Sequence, residues 1–232
     1  MNLDQYLKMQ RDQYEQDAGN WSLENRDPVV GTYDLHNKWA DYDLLLFRGI
    51  NTQELVALEY GCGPGRNLIK FSDKFKRIDG VDIAQTNLDN AKINLETNTI
   101  FNSELFLCDG KSIPCSSDSY DVVFSVICLQ HIACYDIRFS IFEDIKRVLK
   151  PGGYFCFQMG FGGKETQKFA DYYDNVTDAT RTNGGHDVSI LHEEFLISDL
   201  ITKLGFTDYT SVIAKTGPGD NHKNWIWVQV KK

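Results

Sequence analysis

The first candidate for chemistry is a glycine-rich turn that reads Glu59-Tyr60-Gly61-Cys62-Gly63-Pro64-Gly65. The apolar residues 55–59 predict a buried strand before it, and the residues after it predict an amphipathic helix. Because glycine has no side chain, backbone N–H groups can approach a ligand closely at such a strand-to-helix turn. The turn therefore predicts a ligand site at Gly61, Cys62, Gly63 and Gly65.

Asp82 is the second candidate, near the end of the next predicted strand and 21 residues after Gly61. A carboxylate there is placed to accept hydrogen bonds from both hydroxyls of a ribose. The dinucleotide fingerprint G-x-G-x-x-G is not met, because Arg66 stands at its third glycine. Glu59 would also repel a pyrophosphate, whereas it tolerates a cationic ligand. The residues thus favour a positively charged nucleoside.

This block resembles the first motif of the class I S-adenosylmethionine-dependent methyltransferases, an acidic residue, any residue, and then G-x-G-x-G. Glu59, Gly61, Gly63 and Gly65 satisfy that motif, and residues 145–153 (IKRVLKPGG) look like the family's junction between a helix and the fifth strand. The resemblance runs from about residue 55 to the C terminus. It implies S-adenosyl-L-methionine as cofactor, held in addition by Asp82, Ile83, Asp109, Gly110 and Ser125.

The order of predicted elements is consistent with that family. Residues 54–148 alternate strand-like runs with helical spacing, which is typical of parallel βαβ units. The last two strand-like runs, 209–214 and 225–230, are joined by a loop too short for a parallel crossover, so they should be antiparallel. We expect an α/β fold: a doubly wound, mostly parallel seven-stranded sheet with an antiparallel C-terminal strand and helices on both faces.

Two segments outside the regular pattern are candidates for acceptor specificity. Residues 1–50 predict an N-terminal helical lid packed on the core, and residues 51–232 form the predicted methyltransferase domain. Within that domain, residues 160–190 predict a long insertion that faces the substrate. The expected acceptor pocket is lined by Tyr14, Tyr172, Tyr173 and His186. Paired aromatic residues such as Tyr172 and Tyr173 also commonly anchor a segment on the core, and that alternative stays open.

Two histidines are candidates for a general base. Methyl transfer is an in-line displacement, so positioning supplies much of the acceleration, but an alcohol acceptor must also lose its proton. His131 follows the fourth predicted strand, where the sheet edge meets the methyl group in this family, and His186 lies in the insertion. The alternatives are a packing or helix-capping role for His131 and an exposed loop position for His186.

Missing motifs narrow the reaction class. No [DN]-P-P-[YF] element follows the fourth strand, which departs from methyltransferases that act on adenine amines or glutamine. No acidic residue ends that strand, where metal-dependent catechol-type enzymes of the family place a ligand, so we expect no metal. Cys115 precedes the strand, whereas the nucleophile of cytosine-C5 enzymes follows it.

Composition and charge bound the partners. The 232 residues carry a net charge of −9, which opposes binding to a phosphate backbone, so we expect a small-molecule acceptor and no nucleic acid. No apolar run approaches the roughly 18 residues of a membrane span, and residues 1–21 are too polar for a signal peptide, so we expect a cytoplasmic protein without membrane partners. The six cysteines are expected to be reduced, and a homodimer is compatible with the sequence.

The function expected from the sequence is transfer of a methyl group to an oxygen or nitrogen of a small molecule. One alternative is a non-catalytic relative that binds the cofactor, although its hallmark, a broken cofactor motif, is missing. A less favoured alternative is an NAD-dependent oxidoreductase, against which Arg66 and the terminal strand pair argue.

Overall fold

The computed structural model describes residues 2–19, 42–163, 169–175, 188–217 and 222–232. Its strands are β1 (Val56–Tyr60), β2 (Arg77–Asp82), β3 (Leu105–Leu107), β4 (Tyr120–Ser125), β5 (Leu149–Phe161), β6 (Ser189–Ile190), β7 (Thr207–Lys215) and β8 (Asn224–Lys231). Its helices are α1 (Leu3–Ala18), α2 (Tyr42–Leu46), α3 (Arg66–Phe71), α4 (Gln85–Thr97), α5 (Tyr135–Val148) and α6 (Glu194–Ile197). A 3₁₀ turn, Leu129–His131, follows β4, and α6 continues as a π-helical turn, Ser198–Lys203.

The strands form one sheet in the order β3-β2-β1-β4-β5-β8-β7, and the short β6 pairs with β5 beside this path. The pairs from β3 to β5 are parallel, whereas β8 is antiparallel to both β5 and β7. The predicted doubly wound, mostly parallel sheet with an antiparallel C-terminal strand is therefore confirmed. The strand order reverses between β1 and β4, and open α/β sheets bind ligands outside the carboxyl ends of the strands at such a point.

Apolar side chains cover both faces of the sheet because successive residues of a strand point to opposite sides. Leu58 and Val123 belong to one core with residues of α1 and α5. Their neighbours Ala57 and Val122 belong to a second core with residues of α2, α3 and α4. Helices thus lie on both faces, as predicted, and together they fix the strand ends that carry the site.

The ends of two elements differ from the prediction. The sequence predicts a helix through Phe75 after the glycine turn, whereas the helix stops at Phe71, four residues earlier. The fifth strand is predicted at 154–159, but it begins at Leu149, ahead of Pro151, and is 13 residues long. The pairing of β4 with β5 shifts register beside Pro151, and this irregularity lets a proline lie in a strand without breaking a regular ladder.

The N-terminal segment begins with a capped helix. The Asn2 side chain accepts from the Gln5 amide, and the Gln5 side chain accepts from the Asn2 amide, so two otherwise unpaired donors are satisfied. In the part of the chain that the structure describes, no helix combines the length and the apolar character that a membrane span requires.

Candidate cofactor and acceptor site

The glycine-rich turn joins β1 to α3 at the carboxyl edge of the sheet. Gly61, Gly63 and Gly65 have φ values of +74°, +52° and +84°, a region that favours glycine. A Cβ atom added to Gly61 would overlap the Sγ of Cys128 and lie 2.8 Å from its Cβ. The turn needs glycine at this position both for its backbone conformation and for the close approach of Cys128.

Hydrogen bonds from the turn to β2 hold it in place. The Gly61 and Cys62 amides donate to the Val81 carbonyl, at 2.8 and 3.1 Å. The Cys62 side chain is buried and faces β2, where a Cβ added to Gly80 would lie 2.7 Å from its sulfur. Cys62 therefore faces the sheet with its thiol, which also donates to the Gly63 carbonyl of the turn at 3.6 Å.

Asp82, at the end of β2, links this turn to the start of α4. Its Oδ2 accepts from the Gly63 amide at 2.9 Å, and its Oδ1 accepts from the Ala84 amide at 2.9 Å and from Asn87 Nδ2 at 3.1 Å. Burial raises the pKa of Asp82, although these hydrogen bonds partly offset that effect. Asp82, the residue predicted to bind the ribose, thus also joins the glycine turn to the start of α4.

Glu59 lies beneath the turn with only 1% of its surface exposed. Its Oε1 accepts from Asn67 Nδ2 at 2.6 Å, and its Oε2 has no hydrogen-bond partner among the described residues. Burial, which outweighs the opposing effects of Asn67 and Arg66, raises the pKa of this carboxyl to about 8.

The buried polar atoms around the turn define what a ligand must supply. On β1, α3 and α4, three buried side-chain oxygens accept no hydrogen bond: Glu59 Oε2, Asn67 Oδ1 and Asn87 Oδ1. All three are acceptors, so the crevice suits a ligand rich in N–H and O–H donors and carrying positive charge. The amino group, ribose hydroxyls and sulfonium of S-adenosyl-L-methionine meet that requirement.

The loop after β3 begins beside Asp82, whose carbonyl accepts from the Cys108 amide at 2.9 Å. The Asp109 carboxylate accepts from the Lys111 and Ser112 amides at 2.8 and 2.7 Å. Partial burial raises the pKa of Asp109, but these hydrogen bonds outweigh it and lower the pKa overall. Gly110 has a φ of +91° and packs closely on Ile83. A Cβ atom added to Gly110 would lie 2.8 Å from Ile83 Cδ1.

Helix α1 lies across these loops. The Tyr6 hydroxyl accepts from the Ala133 amide at 3.1 Å, and Gln10 Nε2 donates to the His131 carbonyl at 3.2 Å. Both carboxylate oxygens of Glu15 accept backbone amides of the first turn of α4, from Gln85 at 2.6 Å and Thr86 at 3.0 Å. This anionic cap suits the positive end of the helix dipole and docks α1 beside Asp82. Tyr14 is half-buried on the same helix.

The chain after β4 connects the glycine turn to His131. The buried Ser125 hydroxyl donates to the Tyr60 carbonyl at 2.9 Å and joins β4 to β1, so its predicted cofactor contact stays a prediction. The Cys128 side chain packs on Gly61, and the His131 amide donates to the Cys128 carbonyl at 2.9 Å. His131 is half-buried, one short turn away from the glycine cradle.

The tyrosines of the insertion contact α5 and the π-helical turn. Tyr172 is buried, its hydroxyl donates to Asp199 Oδ2 at 2.9 Å, and the Arg138 guanidinium lies 4.7 Å from its ring centroid. Tyr173 is 40% exposed, and its ring centroid lies 4.9 Å from that of Tyr172. These contacts anchor the segment on the core, so a pocket role for either tyrosine stays a prediction. His186 lies outside the described residues.

Several polar residues of this edge were missed by sequence reasoning. Asn67 and Asn87 fall on helix faces that carry no polar signature, although each lies one or two turns after a predicted ligand-binding loop. Gln158 of β5 is fully buried, and its Oε1 accepts from the amide of Ile127, which has a positive φ of 51°. A β-branched residue in that conformation is uncommon, and no local pattern indicates it.

Comparison with known proteins agrees with this geometry. A family model described as a methyltransferase domain matches residues 57–153, which span the glycine turn, Asp82, Asp109 and β4. The match covers 97 of the 232 residues, and over this stretch the chain is similar to the class I S-adenosylmethionine-dependent methyltransferases. S-adenosyl-L-methionine is the family's cofactor, and the unpaired oxygens described above fit it.

Individual relatives extend the comparison. A sterol 24-C-methyltransferase of Gibberella zeae is 28% identical over 125 residues, which cover 52% of this chain and 30% of that protein. The phosphoethanolamine N-methyltransferase 2 of Haemonchus contortus, solved with S-adenosylhomocysteine, covers 93% of this chain and 57% of its own at 20% identity and a TM-score of 0.65. A SAM-dependent methyltransferase from Aquifex aeolicus covers 88% and 98% at 15% identity and a TM-score of 0.60, so both structures support the fold.

Proposed function

We propose that this methyltransferase moves a methyl group from S-adenosyl-L-methionine to an oxygen or nitrogen of a small molecule and releases S-adenosylhomocysteine. The observation that carries the proposal is the position of His131. Its amide is bonded to Cys128, whose side chain packs on Gly61, and its carbonyl is bonded to Gln10 of α1. The backbone of His131 thus lies between the cofactor turn and helix α1.

The residues divide the work between binding and proton transfer. The cofactor supplies a methyl group on a positively charged sulfur. The glycine turn and Asp82 orient that ligand, and the Glu59 carboxyl lies where it can oppose positive charge. His131 takes the proton of an alcohol acceptor, whereas a neutral amine needs positioning alone.

We infer a small acceptor because helix α1 covers the carboxyl edge of the sheet and because the chain carries a negative net charge. Helix α1 bonds to the loops that follow β2, β3 and β4, and its Arg11 reaches the Asp109 carbonyl at 3.5 Å. A net charge of −9 disfavours a nucleic-acid acceptor. The similarity to sterol and phosphoethanolamine methyltransferases supports a small acceptor. The chain spans 30% of the length of the sterol enzyme.

The segments that select the acceptor are proposed from their placement. Residues 1–50 act as a lid on the domain 51–232 and contribute Tyr14 to the acceptor pocket. The insertion 160–190 lines the acceptor side through Tyr172, Tyr173 and His186. The described part of the insertion docks on α5, where Asn175 Oδ1 accepts from the Asp136 amide at 2.8 Å. This docking holds residues 169–175 next to the turn that carries His131.

Calorimetry and a product screen test the proposal. S-adenosyl-L-methionine should bind, NADH should not, and S-adenosylhomocysteine should accumulate with a pool of hydroxyl- or amine-bearing metabolites. With an alcohol acceptor, His131→Ala should lower kcat about 10²-fold at unchanged cofactor affinity. The exposed His192 provides a matched control, since His192→Ala should leave kcat unchanged.

Two results would contradict the proposal. Cofactor binding without product from any pool would identify a non-catalytic binding protein. An alcohol acceptor methylated equally fast by His131→Ala would remove His131 from the mechanism.

A further inference from the structure

The Glu59 carboxyl lacks the partners that a buried charge requires. It is 1% exposed, and its one hydrogen bond in the described region comes from the neutral amide of Asn67. A carboxylate can accept about four hydrogen bonds, and burying it with one is costly. A protonated carboxylic acid is less costly to bury, but its O–H on Oε2 then also has no acceptor among the described residues.

Among the described residues, the groups around Glu59 supply no net positive charge that would offset an ionised carboxylate. Arg66, at the start of α3, attracts a negative charge, whereas Asp82, at the end of β2, repels it. The thiols of Cys62 in the turn and Cys128 after β4 also face Glu59, and burial raises the pKa of both, so they stay neutral. The net result is a carboxyl whose pKa is about 8 and which holds its proton at neutral pH.

We propose that Glu59 loses its proton when the cofactor binds, so that binding of S-adenosyl-L-methionine releases one proton and strengthens as the pH rises. The O–H bond of the carboxylic acid breaks, the proton passes to the buffer, and the carboxylate left behind is offset by the positive charge of the cofactor. This inference rests on the proposed cofactor but is independent of the acceptor.

The sign and size of the effect follow from proton linkage. With a pKa of about 8, binding should release about 0.9 proton at pH 7 and about 0.1 at pH 9. Affinity should rise roughly tenfold for each pH unit below 8 and level off above it. The dependence is absent if Glu59 is already ionised in the free protein.

Titration calorimetry measures the released proton directly. S-adenosyl-L-methionine is titrated into the full chain at pH 7 in phosphate and in Tris, because the dependence of the observed enthalpy on buffer ionisation gives the number of protons exchanged. Glu59→Gln keeps an amide oxygen for Asn67 but cannot ionise, so the proton release should vanish. The amine of the cofactor titrates with both proteins and cancels in the comparison.

Asp79→Asn is the matched control. Asp79 is a fully buried carboxyl of the same sheet, but Arg77 and Tyr120 bind it, each at 2.9 Å, away from the glycine turn. This variant should keep the wild-type proton release.

The outcomes separate this inference from the proposed function. If the compound produces no binding heat, the proposed function fails. If it binds with a buffer-independent enthalpy, or if Glu59→Gln releases as many protons as the wild type, the proton-release mechanism is overturned. Should Glu59→Gln fail to fold, difference infrared spectra of the wild type decide, since a protonated-carboxyl band must disappear on binding.

Discussion

Replacing Gly61 by alanine tests the tight packing of the cofactor turn. The left-handed conformation at φ +74° costs a residue with a Cβ about 1–2 kcal/mol. The new Cβ would also overlap the Cys128 sulfur, and such overpacking costs about 1–3 kcal/mol. We therefore expect Gly61→Ala to lower the free energy of unfolding by about 2–5 kcal/mol and to weaken cofactor binding, because the turn must shift to relieve the overlap.

Gly49 allows the two costs to be separated. It has the same φ of +74°, but a Cβ added there meets no atom within 4 Å. Urea unfolding should therefore show only the conformational cost for Gly49→Ala, and Cys128→Ala should recover part of the extra loss in the Gly61→Ala background. Equal losses for the two glycine variants would refute the close approach of Cys128.

Two further predictions concern Asp82 and Glu15. Asp82→Asn retains an oxygen for Ala84 but places an amide N–H against the Gly63 N–H, so S-adenosyl-L-methionine affinity measured by calorimetry should fall by about 1.5–3 kcal/mol, and unchanged affinity would contradict the assignment. Glu15→Gln removes the charge that caps α4, a loss of about 1 kcal/mol, so amide hydrogen exchange in α1 should accelerate about fivefold. Asp12→Asn removes only the exposed Lys8–Asp12 pair of the same helix and should accelerate exchange much less. Equal exchange in both variants would show that Glu15 does not hold the helix.

The cofactor half of the site was predictable because its parts obey local rules. The conformation of Gly61 and the position of Asp82 follow from a strand, a tight turn and a helix start, each with its own sequence pattern. The prediction missed that Asp82 bonds to Gly63, since a side chain 19 residues away leaves no periodic signal. The cofactor contact of Ser125 stays a prediction, and its hydroxyl also joins β4 to β1.

The acceptor half was less predictable because its contacts join distant segments. Gln10 and His131 are separated by 121 residues, and the side chain of Gln10 donates a hydrogen bond to the carbonyl of His131. The two residues of β6 are too few to carry a pattern, and the pairing that places them follows from β5. The pocket role of Tyr172 stays a prediction, and no local pattern indicated that its hydroxyl donates to Asp199 of the π-helical turn.

The separation of the proposed cofactor residues from the proposed acceptor segments allows acceptor preference to change independently in such a fold. The residues proposed to hold the cofactor lie within 59–110 and bond mostly to one another, whereas α1 and the insertion dock through a few separate bonds at their margins. Energetic coupling is weak between sites that share no partners, so substitutions in residues 169–175 should alter the acceptor without weakening the cofactor. Helix α1 is the exception, because Glu15 docks it on the start of α4, and Asp82 also bonds to the start of α4. Changes in the lid should therefore affect both ligands together.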